Sequence, residues 1–283
     1  MSSFFNEILQ KLITGGIENP RLEARILLAE VLKKNIAEIY TDTELSEQEQ
    51  QRINVMLEQR LQHKPLDKII GHREFYKADF KVSEDVLSPR PDTEILVEEA
   101  LKLLQDDKEY RILDLGVGSG CIIESILLEK KNSYGVGVDV SAKALKVAAI
   151  NADNLGLSRR IEFVNADWFV GGFEKKFSCK FDMIVTNPPY IPTADIVSLD
   201  TEVKEYDPLP ALDGGKSGYD SYVRIAEITP LLLNDGGYIL IEAGINQAAE
   251  INKIFSRKNL QPVKIVNDLA GIERCVIMQK AVA

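Results

Sequence analysis

Apolar residues recur at helical spacing from Phe4 to about Gln62, first as Leu22, Ile26, Ala29 and Leu32, then as Ile53, Met56, Leu57 and Leu61. The pattern predicts a small helical domain. It is interrupted at Gly15-Gly16, before Pro20, and around Thr41 to Ser46, where Ser46 followed by Glu49 has the form of a capping box. After Lys64-Pro65, the runs Phe75-Tyr76 and Phe80-Lys81-Val82 predict a hairpin within Arg73 to Val82, carried on a linker. Pro91 then opens a helix bearing Ile95, Leu96, Ala100, Leu103 and Leu104. Asp92 and Glu94 sit in its first turn, where the helix dipole favours acids.

From Arg111 the period changes. Short β-rich runs at Arg111 to Leu115, Tyr134 to Asp139, Ile161 to Asn165, Phe181 to Thr186, Gly237 to Ile241, Val263 to Val266 and Cys275 to Gln279 predict strands. Helical patterns lie between them at Ile122 to Lys130, Ala142 to Leu155, Tyr222 to Leu233 and Gln247 to Lys258. This alternation implies an α/β fold, with a mostly parallel sheet covered by helices on both faces. The expected organisation is a helical domain over 1–63, a linker with a hairpin over 64–90 and an α/β domain over 91–283.

Composition narrows the function classes. A chain of 283 residues with 45% hydrophobic content has enough apolar surface for a core in each part. The net charge of −10 disfavours a broad electrostatic grip on nucleic acid, so nucleic acid is an improbable direct substrate. Cys121, Cys179 and Cys275 are far apart and lack metal or redox spacing, and His63 and His72 have no evident metal partner, so no metal is expected. With no apolar stretch of bilayer length and no signal-like N-terminus, the expectation is a cytoplasmic protein without a membrane partner.

The densest chemistry is Asn187-Pro188-Pro189-Tyr190, directly after the run Phe181 to Thr186. It therefore stands at a strand's carboxyl end, the edge of an open α/β sheet where ligands bind. The two prolines stiffen the corner and remove backbone donors. What remains is acceptors: the Asn187 side-chain oxygen and the Pro188 carbonyl suit a planar NH2 group, which has two donors to place, with Tyr190 beside it. The same four residues could equally form a tight turn with a packed aromatic.

A second constellation favours the chemical reading. Gly116, Val117, Gly118, Ser119 and Gly120 follow Asp114-Leu115 at the first strand's end and open a helix, where backbone approaches a ligand closely and N–H groups attract an anion. A dinucleotide fingerprint wants its third glycine one residue later, where Cys121 stands, which weakens that reading and leaves it open. Asp139 ends the next strand, about 20 residues on, where an acid can bind ribose hydroxyls. Asp167-Trp168 follows the third strand and pairs a carboxylate acceptor with a flat ring, suiting an adenine.

These features together resemble the class I methyltransferases that use S-adenosyl-L-methionine, and more narrowly the release factor glutamine methyltransferases. The resemblance also covers Ile70-Gly71-His72-Arg73-Glu74-Phe75, Ser88-Pro89-Arg90-Pro91-Asp92-Thr93-Glu94, Tyr206-Asp207-Pro208, Ala211 to Gly215, Glu242, Gly244 and Gln247. Departures are Val117 where the family often has Thr, Asp92 where it often has Glu, and Ser217-Gly218-Tyr219. The resemblance implies a Rossmann-like sheet of seven strands. It implies S-adenosyl-L-methionine held by Gly116 to Gly120, Asp139, Asp167, Trp168 and Asn187. It further implies a release factor glutamine whose side-chain NH2 meets Asn187, Pro188, Pro189 and Tyr190, with the helical domain helping to hold that partner. The alternative is an amino-group methyltransferase acting on a DNA or RNA base.

Overall fold

A computed structural model describes residues 3–39 and 44–282; of the break predicted around Thr41 to Ser46, positions 41–43 lie outside the described residues. The chain forms two compact units. One comprises 1–72 with 200–206, the other 73–199 with 207–283.

The first unit contains α1 (Ser3–Thr14), α2 (Pro20–Leu32), α3 (Glu47–Leu61), α4 (Leu66–Ile70) and the short α8 (Thr201–Lys204). Phe5, Ile8, Leu12, Leu27, Leu28, Ile53 and Leu57 form its buried core. The buried stripe of α2 is Ala24, Leu27, Leu28 and Val31, whereas Leu22, expected inside, is 51% exposed. This helix is apolar enough to offer two stripes, and the small Ala24 belongs to the one that packs. At α3 the capping box is complete: Ser46 Oγ accepts from the Glu49 N–H, and the Glu49 carboxylate accepts from the Ser46 N–H at 2.8 Å. Residues 200–206, which the sequence pattern assigns to the α/β region, group with these helices. Arg60, buried, donates to Glu23 at 2.6 Å and to Glu202 at 2.7 Å, and the Tyr206 hydroxyl donates to the Gln62 carbonyl at 2.9 Å.

The second unit is built on β3 (Arg111–Leu115), β4 (Tyr134–Asp139), β5 (Ile161–Asn165), β6 (Phe181–Thr186), β7 (Leu233–Glu242), β8 (Leu260–Asn267) and β9 (Glu273–Lys280). These make one seven-stranded sheet in the order β5-β4-β3-β6-β7-β9-β8, parallel except that β9 runs antiparallel to both its neighbours. Strand β7 starts four residues before the predicted Gly237, at Leu233, directly after α10 (Asp220–Leu232), which runs through Pro230. Pro262 lies on β8, an edge strand, where its missing N–H removes no bond to a second neighbour.

The two faces of the sheet follow the period of two. Leu113, Ile184, Ile239, Ile241, Val276 and Met278 pack with α10 and with α11 (Ala248–Ser256). Their chain neighbours Ile112, Val185, Leu240 and Ile277 pack on the other side with α5 (Glu94–Leu103) and α6 (Cys121–Glu129), where Leu145 and Ala152 of α7 (Ala142–Asn154) also contribute. The hairpin forms from β1 (His72–Phe75) and β2 (Ala78–Lys81), turning at Tyr76 with φ of +54°. Pro91 begins a 3₁₀ turn, Pro91–Thr93, ahead of α5. Among the described residues, no helix is long and apolar enough to cross a membrane.

The chain leaves β3 for β4 on one side and returns to place β6 on the other. The carboxyl ends of β3 and β6 therefore flank the switch point at which open α/β sheets bind ligands.

Candidate active site

The β3–α6 loop is shaped by β4. Val138 accepts hydrogen bonds from the N–H groups of both Gly116 and Val117 at 2.9 Å, and the Asp139 carboxylate takes the Gly118 N–H at 3.0 Å and the Ser141 N–H at 2.8 Å. Asp139 thus braces the loop. Burial raises its pKa above the ordinary carboxylate value, opposed by the backbone donors of Ser141, Gly118 and Val140. A carboxylate has about four acceptor sites, so two remain for a ligand. Gly116 must be glycine on two counts: its φ is +81°, and a Cβ there would lie 3.3 Å from the Trp168 ring.

Trp168 is buried, its carbonyl accepting from Arg224 Nε at 2.7 Å while its indole nitrogen has no partner. Asp167 accepts from the Phe169 N–H at 2.8 Å through one oxygen. At the end of β6 the buried Thr186 hydroxyl donates to the Leu115 carbonyl at 2.7 Å, tying the acceptor corner to the strand that precedes the glycine loop. A Cβ on Gly116 would stand 3.9 Å from the Asn187 carbonyl oxygen. The loop and the corner adjoin.

Beyond Asn187 the backbone is clamped. Gly214 donates to the Ile191 carbonyl at 2.8 Å, Ile191 donates to the Leu212 carbonyl at 3.0 Å, and Gln247 Nε2 donates to the Tyr190 carbonyl at 3.2 Å. The approach at Gly214 is so close that a Cβ there would be 2.6 Å from the Tyr190 Cα. The Tyr190 phenol is pushed up to about 12 by burial and by the neighbouring Glu242. Asn187 Nδ2 donates to the Thr93 hydroxyl at 3.4 Å, and Thr93 donates to the buried Glu242 carboxylate at 2.6 Å.

These elements enclose a cavity of about 570 Å³. Its wall brings together Gly116, Val117, Gly118, Ser119, Asp139, Asp167, Trp168, Asn187 and Pro189. Gly120, Pro188 and Tyr190 stand off the wall: Gly120 is the residue before α6, Pro188 is buried, and Tyr190 is held in the clamp. Cys121, one residue past the third glycine, begins α6 and also lines the cavity; burial pushes its thiol up to about 12.

Several lining residues carried no assigned role in the sequence. Val140 and Phe169, 55% and 53% exposed, are apolar groups at strand ends beside Asp139 and Asp167. Their signal was an apolar side chain one or two residues after an acid near a strand end, Val140 directly after Asp139 and Phe169 two after Asp167. Ser88 lines the cavity with a buried hydroxyl that has no partner. Arg90 also lines it and pairs with the buried Asp207 at 2.8 Å, joining the Pro-Arg-Pro segment to the segment that leads into the Gly214 clamp. Below the loop, Asp114 and Glu124 are fully buried acids whose oxygens have no hydrogen-bond partner of normal geometry. Burial pushes Asp114 up to about 8 and Glu124 up to about 9, and both are neutral at pH 7.

The donor set suits S-adenosyl-L-methionine. It offers a carboxylate with open acceptor positions for a diol, a flat ring and a second carboxylate for a purine, and orphaned polar atoms on Ser88 and Trp168. A ligand of that size falls within the range that pockets of about 300–1,000 Å³ accept.

Comparison with known proteins points the same way. The profile of the PrmC N-terminal domain matches residues 4–71 and that of the methyltransferase small domain matches residues 91–200. A methyltransferase from Pyrococcus furiosus shares the fold, with a TM-score of 0.53 at 18% identity over 72% of this chain and 89% of its own. A release factor glutamine methyltransferase of Rhodospirillum rubrum is 39% identical over 275 residues, spanning 96% of this chain and 83% of its own. Another, from Agrobacterium fabrum, is 36% identical over 277 residues, or 96% and 94% of the two chains. With sheet, cavity and near full-length likeness in agreement, this chain belongs to the release factor glutamine methyltransferases.

Proposed function

We propose that the protein transfers a methyl group from S-adenosyl-L-methionine to the side-chain amide nitrogen of the glutamine in the Gly-Gly-Gln segment of peptide chain release factors. The observation that carries this reading is the junction of the acceptor corner at Asn187 with the glycine loop at Gly116, on one cavity wall. Gly116 to Gly120 would hold the methionine end of the cofactor, Asp139 its ribose, and Asp167 and Trp168 its adenine. When bound, the cofactor supplies an electrophilic methyl on a sulfonium.

A carboxamide nitrogen is a poor nucleophile, because its lone pair is delocalised into the carbonyl. The chain's contribution is therefore position and charge. Asn187 Oδ1 and the Pro188 carbonyl would accept from the two N–H bonds of the amide, turning the nitrogen toward the methyl and favouring the positive charge that grows on it. Alignment of this kind contributes up to about 7–11 kcal/mol in favourable models, so the step needs no strong base in the motif. The nitrogen–methyl bond would form as the sulfonium–methyl bond breaks, and the N-methylated amide, a strong acid, would give its extra proton to water. Tyr190 borders the amide as a neutral phenol. Val140, Phe169 and Leu209 are exposed apolar side chains on the cavity wall that would lose water as the ligand and the partner cover them.

The nucleic-acid alternative uses the same acceptor chemistry on an extruded base. The net charge of −10 and the chain's family both favour the protein substrate. The discriminating experiment supplies methyl-labelled S-adenosyl-L-methionine with a release factor, DNA or RNA and locates the label. Label on the glutamine of the Gly-Gly-Gln segment is expected; label on nucleic acid alone would overturn the assignment.

A further inference from the structure

Glu242 ends β7, beside the corner that follows β6, since Ile241 pairs with Thr186 in the parallel register. It is 3% exposed and lies off the cavity wall, whereas Thr93 and Asn187 are on it. The three side chains form one chain of hydrogen bonds, Asn187 Nδ2 to Thr93 Oγ1 at 3.4 Å and Thr93 Oγ1 to Glu242 Oε2 at 2.6 Å.

A hydroxyl has a single proton to give. An ionised carboxylate is an acceptor only, so Thr93 must give its proton to Glu242 and can then only accept from Asn187. That fixes the direction of the Asn187 amide: its NH2 faces Thr93, and its oxygen is left for a donor in the cavity. If Glu242 carries a proton, the order can reverse, with Glu242 donating to Thr93 and Thr93 donating to Asn187. The amide would then present NH2 to the NH2 of a substrate, two donors facing each other.

We propose that Glu242, acting through Thr93, is a positioning residue that holds the Asn187 side-chain oxygen toward the methyl-acceptor nitrogen. The inference rests on the function proposed above and adds to it the residues that orient the acceptor.

Burial pushes Glu242 up to about 7, against the downward pull of Thr93, the Arg274 guanidinium and the Asn187 amide, with Asp92 adding to the rise. The other groups facing it are Tyr190, Tyr222, Cys121 and Cys275, all shifted upward by burial and so neutral near pH 7. Arg274 stays charged in its pairs with Asp268 and Asp92, both at 3.1 Å. Glu242 is accordingly the group in this cluster that changes charge in that range. Orientation of Asn187 should follow it, rising as Glu242 ionises.

The test combines steady-state methyl transfer to a release factor with calorimetric cofactor binding and side-chain NMR of the full chain. Thr93→Val removes the hydroxyl at similar volume; it should lower kcat by about 10- to 100-fold while the release factor KM and cofactor Kd stay within about threefold. Thr93→Ser should restore kcat. In the wild type, kcat and the Asn187 side-chain NH2 resonances should both step near pH 7; in Glu242→Gln, whose side chain can still accept from Thr93, both should be flat. A Thr93→Val enzyme with wild-type kcat and pH profile would overturn the inference, as would a pH step that survives in Glu242→Gln. Equal losses in Thr93→Ser and Thr93→Val would do the same. A wild type that transfers no methyl to release factor would overturn the proposed function itself.

Discussion

Asn187 contributes a neutral acceptor, and its use depends on which end of its amide faces the cavity. The residue types at strand ends made Asn187, Asp139, Asp167 and Trp168 legible in the sequence, because polar residues directly after apolar runs stand where a sheet presents ligands. Glu242 carries the same signal, directly after the apolar run Gly237 to Ile241, but its link to Asn187 had none, and Thr93 had no comparable signal. Thr93 and Glu242 lie 94 residues before and 55 residues after Asn187, as the contacts at separations of 94 and 149 show, and only the fold brings them together. The same holds for Asp114 and Glu124. Their burial makes a separate prediction about stability. In the unfolded chain these carboxyls ionise near pH 4, whereas in the folded state they remain protonated to about 8 and about 9. Their contribution is fully present below about pH 4 and is lost as pH rises, levelling off once pH passes about 9. Glu124→Leu should therefore raise Tm more at pH 8 than at pH 5 in thermal unfolding. An equal shift at both values would contradict a neutral buried acid.

At the scale of elements, β3, β6, β7 and β9 were readable as short continuous apolar runs because each strand is buried on both faces, and the glycine loop because it links a strand to a helix. Which stripe of α2 faces inward was not readable, since that helix is apolar on more than one side. The segment from Ile191 to Gly215 was harder still: it holds the acceptor corner by loop-to-loop hydrogen bonds, which have no period. Gly214→Ala tests its importance. A Cβ 2.6 Å from the Tyr190 Cα forces backbone to move, so we expect a stability loss of about 1–3 kcal/mol in denaturant unfolding. Methyl transfer should fall by about 100-fold, because a displacement near 1 Å at the acceptor is enough for that. Wild-type activity in this variant would show that the clamp does not set the corner's position.

At the scale of the whole molecule, the chain leaves the corner, enters the helical unit over 200–206, and returns to line the cavity from Pro208 onward. No sequence pattern announced this excursion, because Glu202 and Tyr206 are ordinary surface types until Arg60 and Gln62 are placed against them. Arg60→Met leaves Glu23 and Glu202 without their guanidinium. With Glu202 partly exposed, the expected cost is about 1–3 kcal/mol, confined to the helical unit. Hydrogen exchange should quicken in α2, α3 and 200–206 and stay unchanged in β3 and β6; uniform quickening would contradict separate units. The central claim joins cofactor cavity, acceptor corner and protein substrate, and it is tested most directly by single-turnover methyl transfer to a release factor with Asn187→Ala at saturating S-adenosyl-L-methionine. A loss of at least about 100-fold in rate is expected, with cofactor affinity within about threefold of wild type. A wild-type rate in that variant would contradict the claim.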